Sequence, residues 1–123
     1  MKLIITTSSA DIDGRVDSRF GRAAYFVIVD TDTLEWQALL NPAVNASGGA
    51  GIRAAQFVAD QDCDAVVSGD FGPNAYNALK TAEVPMYFLG ACSTPREVIK
   101  YFKKGQLDPL VRPSETSSRG RRR

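Results

Sequence analysis

The sequence predicts one α/β domain: a mixed five-stranded sheet with helices on its faces, in the order β-β-β-α-β-α-β-α. Two observations lead to this prediction. The first forty residues contain three apolar runs separated by polar or turn residues, which is typical of antiparallel strands. From residue 50 onward, amphipathic segments alternate with short buried runs, which is typical of parallel strands joined by right-handed helical crossovers. A chain of 123 residues fits a single domain.

The first three strands are predicted to form an antiparallel meander. Lys2–Thr7 is an apolar, β-branched run that we interpret as a buried strand rather than a signal peptide. Ala23–Asp30 gives the strongest strand signal in the chain. A tight turn at Thr31–Thr33 then leads into Leu34–Asn41, which pairs back as a hairpin and ends at Pro42.

The first helix is predicted to begin near Gly49 or Ala50. Ile52, Ala55, Val58 and Ala59 should share its buried face. We therefore expect these side chains to pack on the sheet.

The remaining elements alternate strand and helix. Asp64–Gly69 and Val84–Gly90 are predicted strands. A helix with Pro73 near its start separates them, and a last helix follows the capping box Thr94–Glu97. Gly105 occupies the position of a C-terminal glycine cap.

This order should bring four loops to one end of the sheet. If the first strand runs up, the second runs down and the third, fourth and fifth run up. The loops at the shared end are then Ser8–Arg22, Asn41–Gly51, Gly69–Asn74 and Ala91–Thr94. Ligands of open α/β sheets favour this location, so we expect the functional site there.

Composition narrows the chemistry. The chain has no histidine, which excludes histidine acid–base catalysis and histidine metal ligands. Its two cysteines, Cys63 and Cys92, form neither a metal-finger spacing nor a Cys-x-x-Cys pair, and we expect both to be reduced thiols in a cytoplasmic protein. No apolar run is long enough to cross a bilayer. We predict a cytoplasmic, non-enzymatic protein with no membrane partner.

The net charge of +1 hides a split between the domain and the tail. We predict a folded domain over residues 1–111 and a disordered basic tail over residues 112–123, because the tail contains five arginines and no apolar residue that could stabilise a fold. A basic arm for nucleic acid or an anionic partner is one interpretation of the tail. A solvated segment with no role in the core activity is the one we prefer.

A glycine cluster is the first candidate motif. Gly48–Gly51 leads into the first predicted helix, where backbone N–H groups and the helix dipole favour an anion. The spacing formally matches a dinucleotide fingerprint, but Pro42–Gly48 separates it from the preceding strand, so we disfavour that interpretation. A tight turn that needs glycine is the simpler alternative.

Two arginines provide the second motif. Arg19 and Arg22 flank Gly21 and can approach one anion from two sides as multi-donor forks. The alternative is that they pair with Asp11, Asp13 or Asp17. Gly72–Asn74 is a third strand-to-helix turn at the same end, and Phe20 and Phe71 are expected to shield the site from water.

Three stretches in order carry a family resemblance. They are "RFGRAAYFVIVD", "NPAVNASGGAGIRAAQFVAD" and "GPNAYNALKTAEVPMYFL". Over residues 2 to 107 the chain resembles the dinitrogenase iron–molybdenum cofactor-binding family of accessory and carrier proteins for metal–sulfur clusters. That family includes the orange proteins, which hold a molybdenum–copper sulfide cluster. The resemblance implies a ribonuclease-H-like fold and an anionic metal–sulfur cluster, of the molybdenum–copper or iron–molybdenum type, as the bound cofactor.

One position departs from the family pattern. Many members have histidine immediately before Gly-Gly-Ala-Gly, where this chain has Ser47. A histidine–metal bond is therefore excluded, and the resemblance implies the orange-protein mode, in which charge and hydrogen bonds hold a preassembled cluster. Cys92 is a candidate thiolate ligand, and a small buried residue is its alternative role. The resemblance further implies a cluster donor, cluster acceptor or ATPase as a protein partner.

The predicted cofactor-binding residues all lie in the converging loops. They are Arg19, Phe20, Gly21, Arg22, Ser47, Gly48, Gly49, Ala50, Gly51, Phe71, Gly72, Pro73 and Asn74. A two-metal nuclease is disfavoured because the first strand carries no acid. The remaining alternative is an interaction module that binds protein or, less favourably, nucleic acid through the acidic core or the arginine-rich tail.

Overall fold

The computed structural model describes residues 1–110. The predicted domain boundary at residue 111 and the predicted disordered tail, residues 112–123, lie outside the described residues. The strands are β1 (Lys2–Thr7), β2 (Tyr25–Asp30), β3 (Trp36–Leu40), β4 (Ala65–Ser68) and β5 (Met86–Phe88). The helices are α1 (Ala50–Asp60), α2 (Gly72–Thr81) and α3 (Pro95–Lys103). None of these helices has the length and apolar character needed to cross a membrane.

The strands form one mixed sheet in the order β3-β2-β1-β4-β5. β1 pairs antiparallel with β2, and β2 pairs antiparallel with β3. β4 is parallel to β1, and β5 is parallel to β4. The predicted element order, meander and strand directions are therefore confirmed.

The core has a layer on each face of the sheet, because successive strand residues point to opposite faces. Ile4 and Val66 face α1 and α2, whereas Leu3, Ile5 and Val67 face α3. The structure is thus a three-layer α/β fold, with two helices on one face and one on the other.

The buried face of α1 agrees only in part with the prediction, since Ala59 is half-buried and Ala54 joins the core. Ala54, Ala55 and Val58 are buried as part of the core, but Ile52 is 42% exposed. At Gly51, α1 packs against the first turn of α2, where an added Cβ would lie 3.4 Å from the Ala75 Cβ. Ile52 consequently lies on the solvent side of the first helical turn.

A segment after α3 extends the sheet in a way that the sequence did not predict. Tyr87 of β5 pairs antiparallel with Pro109, and the flanking hydrogen bonds join Phe88 N–H to the Asp108 carbonyl and Leu110 N–H to the Met86 carbonyl. The outer side of β5 is therefore covered by the chain itself. Because this segment runs opposite to β5, it ends beside the start of that strand.

Candidate functional site

The carboxyl ends of β1, β3, β4 and β5 and the start of β2 lie together at one end of the sheet, here called the site end. All four loops predicted to converge are attached there. Cys63 precedes β4 and belongs to the opposite end. Strand polarity alone therefore brings the glycine and arginine loops to a common location.

Backbone hydrogen bonds fix the turn Arg19–Arg22 beside the end of β4. Gly69 and Asp70 donate their N–H groups to the Ser18 carbonyl, at 3.1 and 2.6 Å, and Phe20 N–H donates to the Asp70 carbonyl at 3.1 Å. Ser18 packs so closely on Gly69 that a Cβ on Gly69 would lie 2.6 Å from the Ser18 Cβ. The loop after β1 and the loop after β4 thus form one unit.

Glycines bring this unit against both helix starts. A Cβ placed on Gly21 would lie 3.2 Å from the Gly51 nitrogen and 3.3 Å from the Gly51 Cα. A Cβ placed on Gly51 would lie 3.4 Å from the Cβ of Ala75 in α2. The Arg19–Arg22 turn, the start of α1 and the start of α2 therefore contact one another, as the predicted site requires.

Asn41 is a buried positioning residue that the sequence analysis missed. Its side-chain amide donates to the carbonyls of Ala23 and Gly21, at 2.9 and 3.3 Å, and its oxygen accepts the Ala43 N–H at 2.9 Å. It thereby ties the end of β3 to the Arg19–Arg22 turn. An Asn-Pro pair at a strand end was the available signal, because asparagine commonly organises such turns.

The turn Gly48–Gly51 presents a row of unpaired donors. Gly49, the N-cap of α1, has a φ of 69° and makes no side-chain cap, and Arg53 is the first helical residue whose N–H is bonded, to the Gly49 carbonyl. Within residues 1–110, the N–H groups from Gly48 to Ile52 donate no hydrogen bond. Ser47, Gly48 and Gly49 are exposed, so an anion could reach these donors from solvent.

The start of α2 is the second glycine-containing helix start at the site end. Its N-cap residue, Phe71, gives no side-chain cap, and Gly72 has a φ of 74°. Pro73 has no N–H, so any backbone donors at Gly72–Asn74 belong to Gly72 and Asn74. Asn74 is exposed, and the next residue, Ala75, makes the contact with Gly51.

α3 begins at the same end of the sheet, but side chains cap its N-terminus. Thr94 Oγ1 accepts the Glu97 N–H at 3.2 Å, and Glu97 Oε1 accepts the Ser93 N–H at 2.6 Å, which confirms the predicted capping box. By contrast, α1 and α2 have no acidic residue in their first turns. Anion-binding capacity at the site end is therefore concentrated at α1 and α2.

The two arginines have different partners. Arg19 forms a forked pair with Asp17, with Nε to Oδ1 at 3.1 Å and Nη2 to Oδ2 at 2.9 Å. This is one of the alternatives predicted for it. Arg22 instead donates Nη1 to the Ala46 carbonyl at 2.7 Å and to the Val44 carbonyl at 3.5 Å, which places its charge on the loop leading into Gly48. Arg22 is thus directed toward the glycine turn, while Arg19 is engaged by an acid.

Phe20 and Phe71 lie beneath the converging turns. Phe20 is fully buried, and its ring centroid is 5.2 Å from that of Phe71 and 5.7 Å from that of Phe26. Both rings belong to the core cluster on the α1–α2 face. They give the turns an apolar support rather than an exposed rim.

Cys92 is half-buried against the core on the α3 face. Burial, and then the nearby Glu97 charge, raise the pKa of its thiol. Among the described residues, no group of three or more histidine, cysteine or acidic side chains could hold a metal ion. The site end therefore offers hydrogen-bond donors rather than a set of metal ligands.

Comparison with known proteins identifies a family and a relative of this chain. The family model described as dinitrogenase iron-molybdenum cofactor matches residues 1–105. An uncharacterised protein of Methanocaldococcus jannaschii is 29% identical over 99 residues, which is 78% of this chain and 83% of that protein.

Solved structures with the same fold include two with recognisable sequence similarity. The apo form of the orange protein from Desulfovibrio gigas has a TM-score of 0.87 and 35% identity, over 93% of this chain and 96% of that chain. A Thermotoga protein assigned to the DUF35 family has a TM-score of 0.78 and 28% identity, over 95% of this chain and 97% of that one. The similarity extends over nearly the full length of each chain.

Proposed function

Because the chain belongs to the dinitrogenase iron-molybdenum cofactor family, we propose that it is a non-enzymatic carrier or assembly protein for an anionic metal–sulfur cluster. The cluster is of the molybdenum–copper sulfide or iron–molybdenum–sulfur type, and a donor or acceptor protein exchanges it. The similarity to the orange protein favours the first type. We also place the protein in the cytoplasm, in line with its two free cysteines, and assign its sheet to the ribonuclease-H-like class from the element order.

The observation that carries the proposal is the row of N–H groups from Gly48 to Ile52, which donate no hydrogen bond within residues 1–110. The helix that they begin, α1, has no side-chain cap. Helix starts normally satisfy these donors through a side chain or solvent, as α3 does with Thr94 and Glu97. Hydrogen bonds to a charged acceptor contribute about 1.5–3 kcal/mol each. Several such bonds suffice to hold a polyanion without a covalent ligand.

The geometry of the site end supports the following roles. The N–H groups of the Gly48–Gly51 turn are the main donors, with Ser47 beside them and Gly72 and Asn74 on the α2 side. Arg22 supplies positive charge next to the turn, and Arg19 joins when a cluster oxygen or sulfur displaces it from Asp17. Phe20 and Phe71 keep the floor of the site dry, which strengthens each charge contact.

The residues fit a preassembled cluster better than a ligated metal. The sequence has no histidine, and a bond from Cys92 to a metal would require its thiol to lose a proton against a raised pKa. Binding through N–H groups and guanidiniums needs no protein deprotonation. The proposed binding mode therefore does not need the histidine that many members carry at the position of Ser47.

Anaerobic reconstitution tests the proposal. Full-length protein incubated with tetrathiomolybdate and copper, then desalted, should retain both metals and a visible absorption band, whereas an unrelated protein of similar charge should not. A parallel incubation with an iron–molybdenum–sulfur cluster compares the two cluster types. Colourless, metal-free protein in every condition would contradict cluster binding and leave the interaction-module alternative.

A matched pair of variants locates the site. A Cβ added at Gly48 would have no atom within 4 Å, and Gly48 is exposed, so Gly48→Asp and Gly48→Asn should both fold. The aspartate places a negative charge on the proposed donors, and we expect it to weaken cluster retention at least about tenfold relative to asparagine, or about 1.4 kcal/mol. Metal content after desalting measures the difference. Equal retention by the two variants would move the site away from the Gly48–Gly51 turn.

A further inference from the structure

β3 has one side without a partner strand. It is the terminal strand of the sheet and bonds only to β2, whereas the outer side of β5 is covered by residues 108–110. Within residues 1–110, β3 is therefore the one strand whose backbone is open to another chain. Natural proteins usually protect such strands with charged residues, proline or a bulge.

The hydrogen bonds at both ends of the β2–β3 ladder show which β3 groups face outward. Asp30 N–H donates to the Glu35 carbonyl at 2.9 Å, and Asn41 N–H donates to the Ala24 carbonyl at 3.0 Å. In an antiparallel ladder, alternate residues bond to the neighbouring strand. The intervening even-numbered residues, Trp36, Ala38 and Leu40, consequently point their N–H and C=O groups away from the sheet.

The side chains of the same three residues form an exposed apolar row. Trp36 lies opposite Val29 and Ala38 opposite Val27, so the row is on the α3 face. Trp36 is 41% exposed and Leu40 is 67% exposed. β3, with the sequence WQALL, contains neither a charged residue nor a proline. The usual protection of an open strand is thus absent.

We propose that β3 of a second copy of this chain pairs with this open side, antiparallel and centred on Ala38. In this register Ala38 faces the partner's Ala38, and Trp36 faces the partner's Leu40. All three outward-facing residues then exchange backbone hydrogen bonds with their opposites, as in a closely paired antiparallel ladder. The two Trp–Leu pairs lie on one face and cover the exposed apolar row of each copy.

The charges favour a second copy over other occupants. Self-pairing brings no like charges together along β3, and Glu35 faces the partner's uncharged Asn41. The arginine-rich tail, the other available occupant, leaves the described chain at Leu110, on the far side of β5 and across the whole width of the sheet. β3 also offers that tail no acidic side chain.

The strand lengths set the expected affinity. Two five-residue strands form an interface at or below the small end of specific protein interfaces, which bury about 1,200 Å². We therefore expect a reversible dimer with a Kd between about 10 μM and about 1 mM. The two-fold axis points the two site ends in opposite directions, so the dimer forms in metal-free protein and does not depend on the proposed function.

Sedimentation velocity on metal-free, full-length protein, from about 10 μM to about 1 mM, tests the proposal. Wild-type protein should show a concentration-dependent shift from monomer to dimer. Trp36→Lys/Leu40→Lys and Trp36→Glu/Leu40→Glu should each be monomeric, because each places like charges directly opposite across the interface. An equimolar mixture of the two should regain the dimer, since opposite charges then face each other.

Controls separate this register from other contacts. Tyr101→Lys makes the same kind of change at an exposed aromatic residue on α3 and should leave the dimer intact. Deletion of residues 112–123 should also leave the dimer intact. Leu40→Lys alone, at the most exposed of the three positions, should still weaken the dimer about tenfold if the double variant does not fold. The proposal is overturned if wild-type protein stays monomeric, if the double-lysine variant still dimerises, or if the mixture of variants does not.

Discussion

Asp17 and Arg19 form the ion pair that supports the Arg19–Arg22 turn. The Asp17 side chain is only 10% exposed, and its Oδ1 also accepts the Arg19 backbone N–H at 2.9 Å. The Arg19 side-chain hydrogen bond is the main cause of a lowered Asp17 pKa. At this scale, one carboxylate holds both the backbone and the guanidinium of a proposed site residue.

This pair predicts a specific pH dependence. Because the pKa of Asp17 is lower in the folded protein than its ordinary value of 3.8, its stabilising contribution is fully present above about pH 4 and is lost as the pH falls below that value. Asp17→Asn should lower the free energy of unfolding at neutral pH and should lose less stability than wild type on further acidification. Urea denaturation at several pH values measures both effects.

Asp13→Asn is the matched control for that measurement. Asp13 makes a similar forked pair with Arg96, at 2.6 and 3.2 Å, but both side chains are more than half exposed. Exposed pairs contribute at most about 1 kcal/mol. A larger loss at neutral pH for Asp13→Asn than for Asp17→Asn would contradict the structural role assigned to Asp17.

The partner of each arginine could not be predicted from the sequence. Three acids lay within reach of Arg19 in the chain, and only the folded path of Ser8–Arg22 brings Asp17 to it. The carbonyls that hold Arg22 belong to a loop more than twenty residues away. Main-chain acceptors carry no residue-type signal, so this contact could only be found in three dimensions.

At the scale of elements, close backbone contacts at Gly21 and Gly51 join three loops into one site. Gly51 was predicted as a site residue for its backbone N–H and Gly21 as the bend between two arginines, and neither has a positive φ. At Gly21 the structure gives a spatial reason for glycine, since an added Cβ would lie 3.2–3.4 Å from backbone atoms of Ala50 and Gly51. At Gly51 an added Cβ would make an ordinary contact of 3.4 Å with the Ala75 Cβ.

Gly21→Ala tests this spatial role. The new methyl group would meet backbone atoms of Ala50 and Gly51 at 3.2–3.4 Å, which cannot move without shifting α1. We expect a loss of about 1–3 kcal/mol in unfolding free energy, together with weaker cluster retention. Chemical denaturation and metal content measure the two effects.

Gly48→Ala provides the control for Gly21→Ala. It makes the same change in the unfolded chain, but its methyl group enters open space. It should therefore be neutral or slightly stabilising. If the two variants have the same stability, the contact between the Arg19–Arg22 turn and α1 is looser than the structure indicates.

Element type was largely predictable because local signals agreed with one another. Apolar runs marked the strands, and Thr94 and Glu97 marked the start of α3. The predicted strand spans were longer than the observed ones at several ends, as with β5, although Pro85 and Leu89 on either side of β5 still make backbone hydrogen bonds to β4. The pairing of residues 108–110 was missed because this segment contains Pro109 and has no strand pattern in its sequence. Its extended conformation depends on contact with β5.

At the scale of the whole molecule, the proposed site and the last described residue lie at opposite ends of the sheet. The proposed donors are at the site end, while the described chain stops at Leu110, which bonds to Met86 at the start of β5. Leu110 is therefore at the opposite end of the sheet from the Gly48–Gly51 turn. This placement favours the interpretation that the tail has no part in cluster binding.

Deletion of residues 112–123 tests that interpretation. It removes five arginines and one glutamate, so the net charge changes from +1 to 1 − 4 = −3. Cluster retention and unfolding free energy should be unchanged, the latter within about 0.5 kcal/mol. Any affinity for RNA should disappear, together with its steep decrease with salt. Loss of the cluster on truncation would instead make the arginines of the tail part of the binding site.

The cover over β5 limits how large an assembly this protein can build. A sheet with two unpaired edge strands can polymerise without limit, because every added molecule exposes a new edge strand. Here residues 108–110 cover one edge of the sheet, at β5. For the described part of the chain, a two-fold dimer through β3 therefore has no unpaired edge strand to which a third molecule could add. Displacing residues 108–110 from β5, for example by substituting Leu110, would expose a second edge strand and allow the dimer to grow into a filament.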